Sequence, residues 1–328
     1  GVYTGTSTTQ SVSGTSSTSV AISAGSLSES TAYYCRIAAQ NGAGTSYGSE
    51  TTFTTTDGTA PAGTLVINTG ASYTTSAGVT LNLSATDARG VTGYYVSSSS
   101  SAPLAGDAGW TTVTSTTTYT ANVSYSLNGS DGSKTVYVWY KDAAGNVSSA
   151  ASDSITLDTI APTVSLNAVT SPTKVASQMI TGVVEAGATV SIVTNTAASD
   201  GAATVSGTSW SYTITGLVEG ANGITVTATD TAGNTATASG SIILDTTAPT
   251  VSLNGVTSPT NATSQTITGT VEAGATVSVT TDTAASDGAA TVSGTMWSYT
   301  ITGLVAGANG ITVTATDTAG NTATATGS

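Results

Sequence analysis

The sequence predicts an all-β chain organised as a tandem array of β-sandwiches, and three observations lead there. The stretch from Ala161 to Ser241 aligns without a gap on Ala248 to Ser328, 87 residues further on, with twelve differences over 81 positions. An internal repeat of that length makes each copy one folded module. Gly recurs every few residues and β-branched Thr and Val fill much of the rest, so helix signals are almost missing. Apolar residues alternate instead of recurring every three or four, which is the period of a pleated strand.

In the second copy, Ile311, Val313 and Ala315 alternate with Thr312, Thr314 and Thr316, the pattern of a half-buried antiparallel strand. The same period turns Trp297, Tyr299 and Ile301 inward on another strand, Ile267 and Val271 on a third, and Val277 and Val279 on a fourth. Turn residues separate them at Glu272 to Gly274, Ser286 to Gly288, Ala306 to Gly310 and Thr318 to Asn321. About seven short strands fit, the count of a sandwich of the immunoglobulin type. Trp210 and Trp297 alternate in phase with core positions. The differences between the copies agree with this pleat. Met179 and Val183 replace Thr266 and Thr270 on the face assigned to solvent, while the inward Ile180 and Val184 match Ile267 and Val271.

Ahead of the repeats, Pro61 to Asp158 follows the same plan with a longer middle. Val79 to Asp87 is expected as strand B, Val91 to Ser97 as C, Tyr119 to Leu127 as E and Lys134 to Asp142 as F. The opening residues differ, running from Thr31 through Tyr33, Tyr34 and Cys35 to an Asn41, Gly42 turn and then Tyr47 to Thr55. This stretch resembles the last strands of a fibronectin type III domain, which implies that Tyr33, Cys35, Ile37 and Ala39 point inward. Cys35, the single thiol, then serves as core filler. The expected domains are 1–57 (partial fibronectin type III-like), 58–158, 159–245 and 246–328 (immunoglobulin-like, the last without its final strand). Both ends read as breaks in a longer array.

Three patterns recur through the later domains: Asp-x-x-Ala-Pro at Asp57, Asp158 and Asp245; Trp-Ser-Tyr-Thr at Trp210 and Trp297; and Asp-x-x-Gly-Asn at Asp142, Asp230 and Asp317. In that order they resemble the bacterial immunoglobulin-like repeats of large surface adhesins, over about Pro61 to Ser328. The resemblance implies an extracellular or cell-surface location and a spacing role.

Composition bounds the function. Charged residues are 7% of the chain, against roughly 25% in ordinary soluble domains. Five cations (Arg36, Arg89, Lys134, Lys141, Lys174) face eighteen acids, for a net charge of -13. No basic patch exists to hold phosphates, which excludes nucleic acid and anionic membrane as partners. No run of about 18 apolar residues exists to insert in a bilayer. The chain has no histidine, so the commonest general base and transition-metal ligand are both missing. The expectation is a non-catalytic protein.

The acids themselves are patterned. Each linker Asp lies at a seam between sandwiches, at the pole that also bears the B–C and F–G loops. That groups Asp57 with Asp87 and Asp142, Asp158 with Glu185 and Asp230, and Asp245 with Glu272 and Asp317. Three carboxylates around one pole repel unless a cation sits among them. Calcium takes six to eight oxygens, and the carboxylates with Asn146, Asn234 or Asn321 and linker carbonyls are the expected ligands. The adhesin-repeat resemblance implies the same, since such repeats often bind calcium at their joins. The alternative is that Asp142, Asp230 and Asp317 only shape the F–G turn.

A second candidate lies on strand F of the second domain, where Tyr137 and Trp139 stand at positions held by Thr in the repeats. Aromatic faces of this kind stack on sugars, making Tyr137 and Trp139 the candidate glycan contact. The functional expectation is a structural stalk segment of a secreted or surface bacterial adhesin, stiffened by calcium at its linkers. Its partners are neighbouring domains or copies, with any glycan or cell-surface ligand taken by parts outside this chain. The alternatives are a subunit of an extracellular filament or sheath, joined through sandwich edges, and an accessory carbohydrate-binding module of a polysaccharide-degrading enzyme.

Overall fold

The computed structural model describes residues 9–14, 17, 19–21 and 23–328 and divides the chain into two compact units, one ending at Thr159 and the other beginning at Ile160. Apart from one 3-10 turn at Asn68–Gly70, the regular elements among the described residues are all β-strands.

The first unit opens with four short strands, β1 (Ala32–Cys35), β2 (Ala38–Asn41), β3 (Gly44–Tyr47) and β4 (Thr51–Thr54). They form two separate ribbons, β1 with β4 and β2 with β3. The inward orientation expected here does not hold. Cys35 and Ala39 are exposed, Ile37 is 72% exposed, and Tyr33 is half-buried against Phe53, with ring centroids 5.8 Å apart. A core needs a second apolar layer, and among the described residues no sheet lies across these ribbons.

The next domain comprises β5 (Ala62–Ile67), β6 (Tyr73–Thr74), β7 (Gly78–Ser97), β8 (Thr111–Ser126), β9 (Gly132–Asp142) and β10 (Ala151–Leu157). Strands B and C, expected as separate pieces, are one 20-residue strand, β7. Its first half pairs with β5 and its second with β9, while β8 follows both across register shifts between Thr86 and Gly93. The irregularity lets one ribbon pass from one layer to the other. Leu81, Leu83 and Ala85 from the first half then meet Val136, Val138 and Tyr140 from β9 in one core. Tyr140 is fully buried, and its hydroxyl donates to the Thr64 carbonyl at 2.7 Å. Burial pushes that phenol above its ordinary range. A Cβ at Gly63 would lie 2.3 Å from the Tyr140 ring, which explains a glycine inside β5.

The second unit holds two sandwiches of one design. The first has β11 (Ser177–Val183), β12 (Thr189–Thr194), β13 (Gly201–Ala202), β14 (Thr204–Ser206), β15 (Ser209–Thr215), β16 (Gly220–Thr229) and β17 (Thr235–Leu244). The other has β18 (Ser264–Thr270), β19 (Thr276–Thr281), β20 (Gly288–Ala289), β21 (Thr291–Ser293), β22 (Met296–Thr302), β23 (Ile311–Thr316) and β24 (Thr322–Gly327). Each has a three-stranded sheet, β11-β15-β14 or β18-β22-β21, and a four-stranded one, β13-β12-β16-β17 or β20-β19-β23-β24. Alternation does its work along β16, where Asn222, Ile224, Val226 and Ala228 are buried and Thr225 is exposed. Ile192 and its counterpart Val279 are buried, whereas Met179 and Val183 are exposed.

One contact organises each core. Trp210 lies opposite Gly182 and Trp297 opposite Gly269 in the strand register. Each indole Nε1 donates to a carbonyl of the incoming segment, Ser165 or Ser252, at 3.0 Å. Both rings are 2% exposed. The glycine makes room, because a Cβ at either position would lie 1.9 Å from that same carbonyl oxygen. Asn222, fully buried, closes the loop before β16: its Nδ2 donates to Val218, Gly220 and Ile242 carbonyls, and its Oδ1 accepts from Val218 N–H and Thr196 Oγ1. That leaves a buried amide fully satisfied.

Gly269→Ala is expected to destabilise the last domain by about 3 kcal/mol, because the new methyl meets backbone that cannot yield. Calorimetry of the full chain checks this, with one transition moving to lower temperature while the others stay.

Candidate metal centre

Of the three acid groups expected from the sequence, one is gathered within the span of a single coordination sphere. Carboxylate oxygens of Asp57, Asp87 and Asp142 lie within 4.8 Å of one another. Asp57 sits in the linker after β4, Asp87 at the irregularity of β7 and Asp142 at the end of β9. Asp87 is 8% exposed, Asp142 3%, and Asp57 is half-buried. At an effective dielectric near 20, two such charges repel by about 3.5 kcal/mol.

Part of that cost is met by N–H donors. Asp87 Oδ1 accepts from the backbone of Arg89 at 2.7 Å and Gly90 at 2.8 Å. Asp142 accepts from the Asn146 backbone at 2.9 Å and from Asn146 Nδ2 at 2.7 Å. That same Nδ2 donates to the Asp57 carbonyl at 3.1 Å. Asn146 therefore turns the donor end of its amide to the acids and to the linker, bracing the chain. Two oxygens on one calcium, each at about 2.4 Å, lie at most about 4.8 Å apart, so the pairwise separations of the three carboxylates are those a shared ion requires. Oxygen-only donors suit a hard cation.

Elsewhere the expected groups are arranged differently. Asp158 belongs to the first unit, and Glu185 and Asp230 to the second. Asp245, Glu272 and Asp317 share the second unit, but among the described residues they do not gather as Asp57, Asp87 and Asp142 do. Glu272 lies exposed in the tight turn closed by its carbonyl and Ala275 N–H, and among the described residues no hydrogen bond draws its carboxylate toward the linker. Asn321 Nδ2 does bridge Asp317 Oδ2 at 2.9 Å and the Asp245 carbonyl at 2.7 Å, as Asn146 does in the first unit. Asn234 bonds Asp230 in the same way, from its backbone at 2.8 Å and its Nδ2 at 2.9 Å.

For Asp230 and Asp317, burial raises the carboxyl, but it is outweighed by the hydrogen bonds of the F–G turn. These come from the Asn234 or Asn321 side chain and from three backbone N–H groups, and they leave both acids below the ordinary carboxylate range.

A further acid at each join escaped the sequence reading. Glu29 Oε2 accepts from Thr59 Oγ1 at 2.7 Å. Asp131 accepts from Thr159 N–H at 2.8 Å and its hydroxyl at 3.0 Å. Glu219 accepts from Thr246 N–H at 3.1 Å and its hydroxyl at 2.8 Å. Each precedes an F-type strand, β1, β9 or β16, whose start lies beside the end of its partner, where the linker leaves. The visible signal was an acid directly before glycine at Asp131 and Glu219. Hydrogen bonds from Thr59 and Gly58, with smaller contributions from Asp57 and the Arg89 charge, overcome burial and hold the Glu29 carboxyl below its ordinary range.

The glycan candidate is corrected. Trp139 is 1% exposed, packed between Tyr95 and Tyr137. Tyr95 packs edge-on to both Trp139 and Trp110, and Lys141 Nζ lies 4.7 Å from the Trp110 ring centre. Lys141 also donates to the Ala105 carbonyl at 2.9 Å and Trp110 to the Leu104 carbonyl at 2.9 Å, pinning the loop. Tyr137 remains half-buried beside Trp139. Trp139 is therefore a packed side chain and offers no open face to a sugar.

Residues 167–246 match the family model of a bacterial Ig-like domain. No curated protein matches the chain. Among solved structures, the chain is similar to part of a 1.5-MDa bacterial ice-binding adhesin, at 23% identity over 81% of this chain and 95% of that one, with a TM-score of 0.39. It is also similar to a tetra-tandem repeat from the extending region of a large adhesion protein, at 22% identity, 90% and 81% coverage and a TM-score of 0.31. Fibronectin(III)-like modules of Clostridium thermocellum CbhA align at 15% identity over 55% of this chain and 93% of that one, with a TM-score of 0.35.

The depressed Asp317 carboxyl has a signed consequence. A lowered folded value stabilises the turn fully above the unfolded value, and that contribution is lost as pH falls through the folded one. The Asn321 amide proton is therefore expected to hold its NMR shift from about pH 7 to about pH 5 and to move only below about pH 4. Asp317→Asn removes that transition.

Proposed function

We propose that this chain is a non-catalytic spacer, a stalk segment of a secreted or cell-surface bacterial adhesin, and that calcium stiffens its first join through Asp57, Asp87 and Asp142. The spacer reading is supported by the repetition itself: two sandwiches of one design stand in series, and one of them matches the bacterial Ig-like family over residues 167–246. A module that recurs nearly unchanged, in a chain without histidine, serves length better than chemistry. Among the described residues no helix is long and apolar enough to cross a membrane.

The single observation behind the cation is the closeness of two buried carboxylates and a linker carboxylate within 4.8 Å. A hard divalent ion would relieve their mutual repulsion and tie the linker to the loops of the following domain. With a dissociation constant near 0.1 mM and about 1 mM calcium outside the cell, the gain is about 1.4 kcal/mol. That is too little to build a domain and enough to hold a hinge.

Terbium luminescence, sensitised by Tyr and Trp, reads the site. Wild-type chain is expected to bind terbium and release it to millimolar calcium, and Asp87→Asn with Asp142→Asn to lower affinity at least roughly 10-fold. X-ray scattering with and without chelator reads the hinge. Equal binding by wild type and variant, or identical particle dimensions in calcium and chelator, would overturn the cation reading.

A further inference from the structure

The join between the last two sandwiches differs from the first in one respect that the near-identity of the repeats makes visible. At position 174 one copy has Lys where the other has Asn261. The loop carrying Lys174 is held against the end of its own sandwich: Thr173 is buried, its N–H donates to the Ile243 carbonyl, and its carbonyl accepts from Asp245 N–H, both at 2.9 Å. Lys174 is thereby fixed beside the linker residue Asp245. From there it reaches into the next sandwich, where its Nζ donates to the Gly320 carbonyl at 2.5 Å. Its stem lies over Gly320, at ordinary contact distance from where a Cβ would stand.

Gly320 belongs to the F–G turn that runs from Asp317 to Asn321, and Asn321 in turn holds the Asp245 carbonyl. The ammonium therefore reaches the backbone of the turn at the Gly320 carbonyl. Here Asp245, Glu272 and Asp317 are not gathered as the acids of the first join are.

We infer that Lys174 is a resident cation for this join, clamping the following domain's F–G turn to the preceding domain so that the joint holds its angle without a divalent ion. The inference rests on the reading that fixed joints are what this chain supplies, and it divides the joints into two kinds. At the first, three carboxylates await an ion. At this one, an ammonium carried by the preceding domain supplies the positive charge, and the Glu219 carboxylate holds the linker from the other side through Thr246. A surface ammonium on a carbonyl is a modest contact, but it acts with the Asn321 and Glu219 braces on one short linker, where small terms decide between docked and undocked states.

Pulsed-EPR distances in the full chain, in a Cys35→Ser background, test this. Spin labels at Ser191→Cys and Ser278→Cys span the join. Wild-type chain is expected to show the same narrow distribution in calcium and in EDTA. Lys174→Asn, which installs the sister repeat's residue and so spares the fold, is expected to lower the docked-to-undocked ratio roughly three- to ten-fold in both buffers. An unchanged distribution in Lys174→Asn, or a wild-type distribution that broadens in EDTA, overturns the inference. Labels at Thr52→Cys and Thr120→Cys span the first join and report the calcium reading separately, so failure of one is distinguishable from failure of the other.

Discussion

A chain with eighteen acids and five cations has to settle its carboxylates on N–H and O–H donors, and that constraint shapes every join. Asp87 takes two backbone N–H groups, Asp142 takes two bonds from Asn146, and Asp317 takes the same pair from Asn321. Glu29, Asp131 and Glu219 take linker threonines. Because each donor set lies in a turn or a linker, satisfying the charge also fixes the path of the chain between sandwiches. Electrostatic need and joint geometry are met by the same bonds.

Donors alone do not suffice everywhere. Where two of the acids are buried and a third comes from the linker, as at Asp57, Asp87 and Asp142, the proposed answer is a divalent cation. Where the B–C acid is an exposed glutamate such as Glu272, the repulsion is weaker and a lysine from the neighbouring sandwich reaches the turn instead. The residues that brace this last join lie where the repeats differ. Lys174 for Asn261 and Glu219 for Ala306 are both among the twelve positions that separate the copies.

The sandwiches can tolerate such drift because their cores depend on a small set of exacting contacts. The indole over a glycine carries the packing in both repeats, joined in the first by the buried Asn222 amide, and the hydroxyl faces around them carry solvent. Substitutions on those outer faces leave the core unchanged, which is how Met179 and Val183 can replace threonines.

The repeat period, the alternation of apolar and hydroxyl residues, the buried tryptophans and the family resemblance were all legible in the sequence, because each depends on local spacing along one strand. What lay beyond it depends on which segments meet. Alternation alone placed Trp139 on an outer face, and the fold buries it beside Tyr95 of another strand. A Tyr-rich strand implied that Cys35 is inside, and among the described residues no second layer closes over it. Three acid triplets looked equivalent by spacing, yet only side-chain length, turn geometry and burial distinguish the triplet that converges from one that does not. Strand period determines which way a residue points, and the tertiary fold alone decides what stands opposite, since that partner comes from chain tens of residues away.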